Sequence, residues 1–156
     1  MATGTVKWFA QALHDLGNKI HDLDTDTLRL GIVTTTTVPA VNTSAPHWGG
    51  TGTTNFATNQ VSTGGTSYTA PITLGTKEWT LNATGAIFGA AVVTLNQDAS
   101  GFTNGAYGII YNDTDANKRA IGYIELSAAG TLSLVSGNVE INWSGAGDDI
   151  LQISQA

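Results

Sequence analysis

Residues 107–126 constrain the fold more than any other stretch, because they read as two strands joined by a polar turn. The first arm, 107–111, is apolar and aromatic. The second arm alternates, with Ile121 and Tyr123 on one face and their neighbours on the other. The connecting residues 112–119 include Asn and Asp, which tolerate the backbone angles of turns. The pattern predicts a β-hairpin at the centre of the fold.

Further strand signals follow at short spacing. Residues 27–33 alternate, and residues 86–95 form a nearly continuous apolar run that is typical of a strand buried on both faces. Residues 150–154 have the pattern of a last strand. Roughly seven to nine such strands predict a mainly β fold, an antiparallel β-sandwich or barrel with a jelly-roll-like arrangement.

Two dipeptides have the composition of two-residue hairpin turns: Gly-Thr at 75–76 and Gly-Asn at 137–138. The first is expected to pair a strand over 69–74 with a strand over 77–81. The second is expected to lead from the preceding strand into a strand over 139–143.

The first 22 residues are predicted to form a helix. Apolar side chains recur there at alternating spacings of three and four, which places them on one helix face: Val6, Phe9, Leu13, Leu16 and Ile20. Such a stripe must be buried on a sheet or on a partner chain. The chain therefore divides into an N-terminal helix, 1–22, and a single β domain, 23–156.

Residues 38–67 are irregular, with Pro and Gly interrupting any periodicity. Trp48 and Phe56 indicate that this segment is tied down on its own domain or on a neighbour, and we interpret it as a long extended arm. Trp79 and Trp143 lie in strand patterns and are predicted to be core residues. Trp48 is the tryptophan expected to serve as an exposed platform or interface anchor.

The charge balance excludes several classes of partner. The chain has 12 acidic and 6 basic residues, a formal net charge of −6, and only Lys118 and Arg119 are adjacent cations. Nucleic acid is not expected as a partner, because a phosphate backbone requires clustered cations. No apolar run long enough for a membrane span and no secretion signal are seen, so we expect no membrane partner and synthesis in a cytoplasm. The absence of cysteine rules out disulfides and Cys-based metal sites.

The opening residues 1–9 are also typical of the first, nucleic-acid-stacking strand of a cold-shock domain. A Gly/Phe-rich strand should follow it there, whereas residues 11–16 have a helical pattern. Together with the acidic charge, this argues against the cold-shock interpretation.

The 112–119 turn has the oxygen-rich composition of a calcium loop, with Asp113 and Asp115 as candidate ligands. An EF-hand loop needs Gly at its sixth position and Glu at its twelfth, and neither counting frame, from 112 or from 113, supplies them. Lys118 and Arg119 compete for the same carboxylates. We interpret the segment as a solvated turn and predict no metal site.

No catalytic residue and no cofactor are predicted. The acidic clusters at 22–26 and 148–149 are predicted to be solvated turns. His14 and His21 are seven residues apart, whereas zinc ligands on a helix are four apart. Neither a nucleophile elbow nor a phosphate loop occurs in the sequence, which disfavours a secreted β-sandwich hydrolase.

Four stretches together resemble a group of small virion structural proteins of tailed bacteriophages: 3–9, 26–33, 48–59 and 111–122. The similarity runs over nearly the whole chain, and its most specific motifs are Tyr-Asn-Asp-Thr in the hairpin and Trp-Gly-Gly in the arm. The resemblance implies a capsid decoration, or cement, protein without enzymatic activity. It further implies the capsid surface as location after assembly in the host cytoplasm, the major capsid protein as partner, and a homotrimer. A tail, neck or fibre component, or a glycan- or receptor-binding module, stays open as an alternative.

The 1–22 helix and the 38–67 arm are the segments that this domain would find hardest to bury alone. We therefore expect them to make the capsid or inter-subunit contacts. The interface candidates are Trp8, Phe9, Leu13, Trp48 and Phe56.

Overall fold

The computed structural model describes residues 2–83, 85–143 and 149–154. Within these residues the chain is mainly β, with one α-helix near its start, α1 (Ala10–Gly17), and one 3-10 helix (Phe56–Asn59). The strands are β1 (Ala2–Gly4), β2 (Lys7–Trp8), β3 (Leu28–Val33), β4 (Pro46–His47), β5 (Thr54–Asn55), β6 (Ile72–Thr73), β7 (Glu78–Asn82), β8 (Gly85–Gly89), β9 (Val93–Leu95), β10 (Tyr107–Asn112), β11 (Ala120–Glu125), β12 (Val139–Trp143) and β13 (Asp149–Ser154). The predicted mainly β, sandwich-like fold with several antiparallel sheets and a helix near the N-terminus is confirmed.

The predicted central hairpin is the middle of the largest sheet. That sheet has the strand order β2-β11-β10-β3-β6, and all its pairings are antiparallel. The hairpin register runs from Tyr107 opposite Glu125 to Tyr111 opposite Ala120. All six residues of β10 are buried, because this strand has a neighbour on each side and is covered on both faces.

Three smaller sheets complete the fold. Two are three-stranded, with orders β1-β12-β9 and β13-β8-β7, and the third pairs β4 with β5. The β1–β12 and β4–β5 pairs are parallel, and the others are antiparallel. Among the described residues, no helix has the length and apolar character needed to cross a lipid bilayer.

One part of the core lies where α1 and the 3-10 helix cover the central sheet, and the same core continues to Phe88 of β8 and Ile141 of β12. The ring of Phe9 lies 5.3 Å from the ring of Tyr123 on β11 and 5.8 Å from the ring of Phe56 in the 3-10 helix. On β3, Leu28, Leu30 and Ile32 are fully buried. Full burial of such side chains contributes about 1.5–3 kcal/mol each relative to exposure.

The helix is much shorter than the predicted 1–22. Residues 2–4 and 7–8 are strands, and Trp8 lies opposite Gly122 at the edge of the central sheet. Residues with β-branched and aromatic side chains favour a strand when an open sheet edge is available to them. The helix begins only after Phe9, whose backbone is extended, and Lys19 at φ +59° turns the chain away after the helix ends.

Both predicted two-residue hairpins are wrong. The turn at 75–76 leads from β6, which pairs with β3, into β7, which pairs with β8 in another sheet. The turn at 137–138 leads into β12, whose neighbours are β9 and β1. A Gly-containing dipeptide specifies that the chain bends, but the partner of each strand is decided by long-range burial.

The apolar run 86–95 is divided between two sheets. Residues 85–89 form β8 and residues 93–95 form β9, so the chain crosses from one sheet to another around Ala91. At this crossing the indole Nε1 of Trp143 donates to the carbonyl oxygen of Ala91 at 3.2 Å. Trp143 is buried, as predicted.

Candidate functional site

Four of the five interface candidates are core residues of this chain. Trp8, Phe9, Trp48 and Phe56 are all buried, which corrects the expectation that these rings are available as anchors on another molecule. Phe9 packs against Phe56 and Tyr123, and Trp48 stacks on Tyr111, so these rings are covered by other side chains of the same domain. Leu13, the fifth candidate, is 52% exposed on α1.

The 38–67 arm is folded back over the central hairpin. The indole of Trp48 stacks on the ring of Tyr111, with centroids 5.3 Å apart and planes at 5°. The backbone N–H of Trp48 donates to the carbonyl oxygen of Lys118 at 2.9 Å. Gly31 makes room for the indole, because a Cβ at this position would lie 2.2 Å from the ring. The arm is therefore tied down on its own domain, the first of the two possibilities that the sequence left open.

The hairpin turn is held by charge pairs. Arg29 Nε lies 3.0 Å from the Asp113 carboxylate, and Lys118 pairs with the other carboxylate oxygen of Asp113. Arg119 Nε lies 3.7 Å from Asp115. Burial, reinforced by the charge of Asp113, raises the pKa of Tyr111 at the base of the turn to about 12. Within the described residues, no three His, Asp or Glu side chains are grouped so that they could hold a metal ion.

A polar cluster joins α1 to this turn. We define it as Asp15, His21, Asn112 and Arg119, of which the first three are buried and the side chain of Arg119 is 30% exposed. Asn112 is fully buried, and its Oδ1 accepts from the backbone N–H groups of residues 114 and 115 at 2.9 and 3.1 Å. These two bonds fix the amide orientation, so that Nδ2 is the atom facing His21 Nδ1 at 3.2 Å.

The orientation of the Asn112 side chain determines which tautomer the neutral ring of His21 adopts. Because Nδ1 of His21 accepts from the amide, the neutral ring carries its proton on Nε2. That Nε2 lies 3.9 Å from Asp15 Oδ2, beyond hydrogen-bond distance. Burial lowers the pKa of His21 below its ordinary 6.5, against the opposing attraction of Asp15. The imidazole is therefore neutral at neutral pH.

Asp15 makes a close side-chain contact with Gln11 and a longer one with Arg119. Its Oδ1 accepts from Gln11 Nε2 at 2.9 Å, and its Oδ2 lies 3.9 Å from Arg119 Nη1 without a hydrogen-bond partner. Since both ring nitrogens of His21 face protein groups, this arrangement is suited to holding α1 against the turn rather than to proton transfer with a substrate. A cavity of about 270 Å³ lies beside it, lined by Gln11, Asp15, Ala45, Pro46, Thr51, Asn117 and Arg119.

Exposed apolar side chains mark two surfaces. The first, which we call the helix–arm surface, consists of Leu13 on α1 with Val38 and Val41 in the arm, all exposed. The backbone N–H of Ala10 donates to the carbonyl oxygen of Val41 at 2.8 Å, which joins the start of the helix to the arm one turn before Leu13. The contact therefore brings the exposed apolar residues of the two segments onto neighbouring parts of the fold.

The second, the β7 surface, consists of Trp79 and Leu81, which are 42% and 88% exposed. The prediction that Trp79 is a core residue is therefore wrong. A cavity of about 490 Å³ lies beside Trp79, between β7 and the segment that follows α1, with Leu16 and Leu23 in its wall. The sequence pattern of β7 did not reveal the exposure, because alternation on a strand does not distinguish a covered face from an open one.

Comparison of the chain with protein-family models, with curated proteins and with solved structures found no match.

Proposed function

We propose that this chain is a structural protein of a tailed-phage virion, a decoration protein that binds the outer surface of the head and stabilises it. The observation that carries the proposal is the contact between the two most specific stretches of the sequence resemblance, 48–59 and 111–122. Trp48 stacks on Tyr111 and hydrogen-bonds to Lys118, so the two motifs form one structural unit. Two motifs that depend on each other physically support the resemblance better than two unrelated matches.

The helix–arm surface is the proposed contact with the capsid. Exposed Leu13, Val38 and Val41 lie on the helix and the arm, the two segments expected to make this contact. A group of exposed apolar side chains on a small domain is typical of a protein–protein contact. Each contact is small, but copies arranged around the symmetry axes of a shell bind with the combined strength of many weak contacts.

The test is binding of the purified protein to empty expanded heads, measured by co-sedimentation. We expect saturable binding at a fixed number of copies per capsomer. A variant carrying Leu13→Asp and Val41→Asp should bind at least about tenfold more weakly, because each carboxylate would have to be desolvated in the contact. The matched control carries Ala128→Asp and Ala129→Asp, which add the same charge at two exposed turn residues that are not part of this surface.

Failure to bind heads would overturn the proposal. Retention on tails would then identify a tail or neck component, and retention on glycans would identify a receptor-binding module. Equal loss of binding in the control carrying Ala128→Asp and Ala129→Asp would show that charge alone weakens the contact, and it would remove the helix–arm surface from the proposal.

A further inference from the structure

We infer that β7 is a self-association strand, which pairs antiparallel with β7 of a second copy of this chain about a two-fold axis at Thr80. The inference does not depend on the proposed function. It starts from the position of β7 at the edge of the β13-β8-β7 sheet, where β8 is its neighbour on one side and no described strand pairs with it on the other. An open strand edge presents unpaired N–H and C=O groups that another strand can bind.

Two of the usual protections of an open edge, a proline and a projecting lysine, do not operate on β7. The strand has five residues, Glu78–Asn82, and contains no proline. The lysine before it, Lys77, is directed back into its own chain, where its Nζ donates to the carbonyl oxygens of Asp24, at 3.2 Å, and Asp26. A lysine held in this way does not project its charge across the edge to repel an approaching strand.

The exposed side chains of β7 complement each other across the proposed axis. In an antiparallel pair centred on Thr80, Trp79 of each copy lies directly opposite Leu81 of the other. Directly opposite residues share a face of the sheet with their Cβ atoms about 5 Å apart. Trp79 and Leu81, which are exposed in the single chain, would therefore cover each other in the pair.

Charge is compatible with this register and disfavours the one centred on Glu78. Centred on Thr80, the pair places Glu78 opposite Asn82, so that no like charges meet. Centred on Glu78, it would place two carboxylates opposite each other, which is unfavourable. Pairing about Thr80 joins two three-stranded sheets into one six-stranded sheet. A two-fold contact closes after two copies, so it predicts a dimer and not the homotrimer that the sequence resemblance implies.

The absence of cysteine provides a direct test. Thr80→Cys introduces the chain's one thiol at the proposed axis, where the thiols of the two copies come together. A short bis-maleimide should cross-link this variant to a covalent dimer at micromolar concentration. Ala129→Cys, at an exposed turn residue, is the matched control and should stay single.

Native mass spectrometry and analytical ultracentrifugation of the unmodified chain supply the second measurement. We expect a dimer, and we expect Leu81→Lys to raise its dissociation constant at least about tenfold. Because Leu81 is 88% exposed in the single chain, this variant should keep the circular-dichroism spectrum and melting temperature of the monomer. A monomeric or trimeric wild-type chain, or cross-linking of both cysteine variants to the same extent, would overturn the inference.

Discussion

The indole of Trp48 lies parallel to the ring of Tyr111, with the two centroids 5.3 Å apart. This stack holds an irregular thirty-residue segment on the central hairpin, and it depends on a glycine, because Gly31 leaves the space that the indole occupies. The contact places Trp48 of the predicted extended arm in the core of its own domain.

Replacing Gly31 by Val should therefore destabilise the fold. The added Cβ would lie 2.2 Å from the indole of Trp48, so either the ring or the strand must move. Overpacking of this kind costs about 3 kcal/mol. Chemical denaturation would measure the loss. Gly137→Ala is the control, since nothing lies within 4 Å of its added Cβ, and it should change the free energy of unfolding by less than about 0.5 kcal/mol. Equal effects of the two substitutions would contradict the packing argument.

Truncation of Trp48 and truncation of Trp79 should destabilise the fold to different extents, because the first side chain is buried and the second is partly exposed. Trp48→Ala removes a buried ring and should cost about 3–5 kcal/mol of unfolding free energy. Trp79→Ala removes a ring that is 42% exposed and should cost about 1–2 kcal/mol. Both are measured by denaturation at concentrations low enough to keep the chain monomeric. A larger loss for Trp79→Ala would contradict the assignment of Trp48 to the core.

The free energy of unfolding should decrease as the pH is lowered through the range in which His21 titrates. Burial holds its folded-state pKa below the ordinary 6.5, whereas the unfolded ring titrates near that ordinary value. The unfolded chain therefore binds the proton first, and the free energy of unfolding should decrease as the pH falls below 6.5. His21→Gln should remove this part of the pH dependence.

The charged groups around His21 act in both directions. Asp15, Asp115 and Asp26 favour its protonation, and Arg119 opposes it. If the carboxylates outweighed burial, stability would rise as the pH fell from 7, which is the outcome that would contradict the prediction.

A second pH effect should appear in acid, at Asp98. Its carboxylate accepts from the backbone N–H groups of Thr66, Ser67 and Ser100, and these bonds lower its pKa from 3.8 to about 2. The stabilisation is complete above pH 3.8 and should be lost as the pH falls towards about 2. Asp98→Asn should lower the melting temperature at pH 7 and reduce the further decline between pH 4 and 2. An unchanged acid profile in this variant would assign the decline to other carboxylates.

The parts of the fold that were predictable from sequence are those with local signals. The alternation of 120–125 and the apolar run of 107–111 specified a hairpin, because the two strands are adjacent and a short polar turn joins them. The polar turn itself was also predicted, but as a solvated turn; its carboxylates are instead largely covered and paired with Arg29, Lys118 and Arg119.

The long-range features were not predictable in this way. The spacing of Val6 and Phe9 fits a helix, yet Trp8 pairs with Gly122, more than a hundred residues away. An open sheet edge elsewhere in the chain overrode the local pattern. Likewise His21 carries no sequence signal for a partner, because its contacts with Asn112 and Asp15 form only when the turn and the helix meet.

The parallel pairing of β1 with β12 has a consequence for biosynthesis. Residues 2–4 are placed in register with residues 141–143, so β1 has no partner strand until β12 has been translated. The same holds in the central sheet, because β2 cannot pair until β11 has been translated. We therefore expect these two pairings to form late, on the slow timescale of non-local β pairing. Until then the nascent N-terminal strands remain open to chaperones and to other copies of the chain.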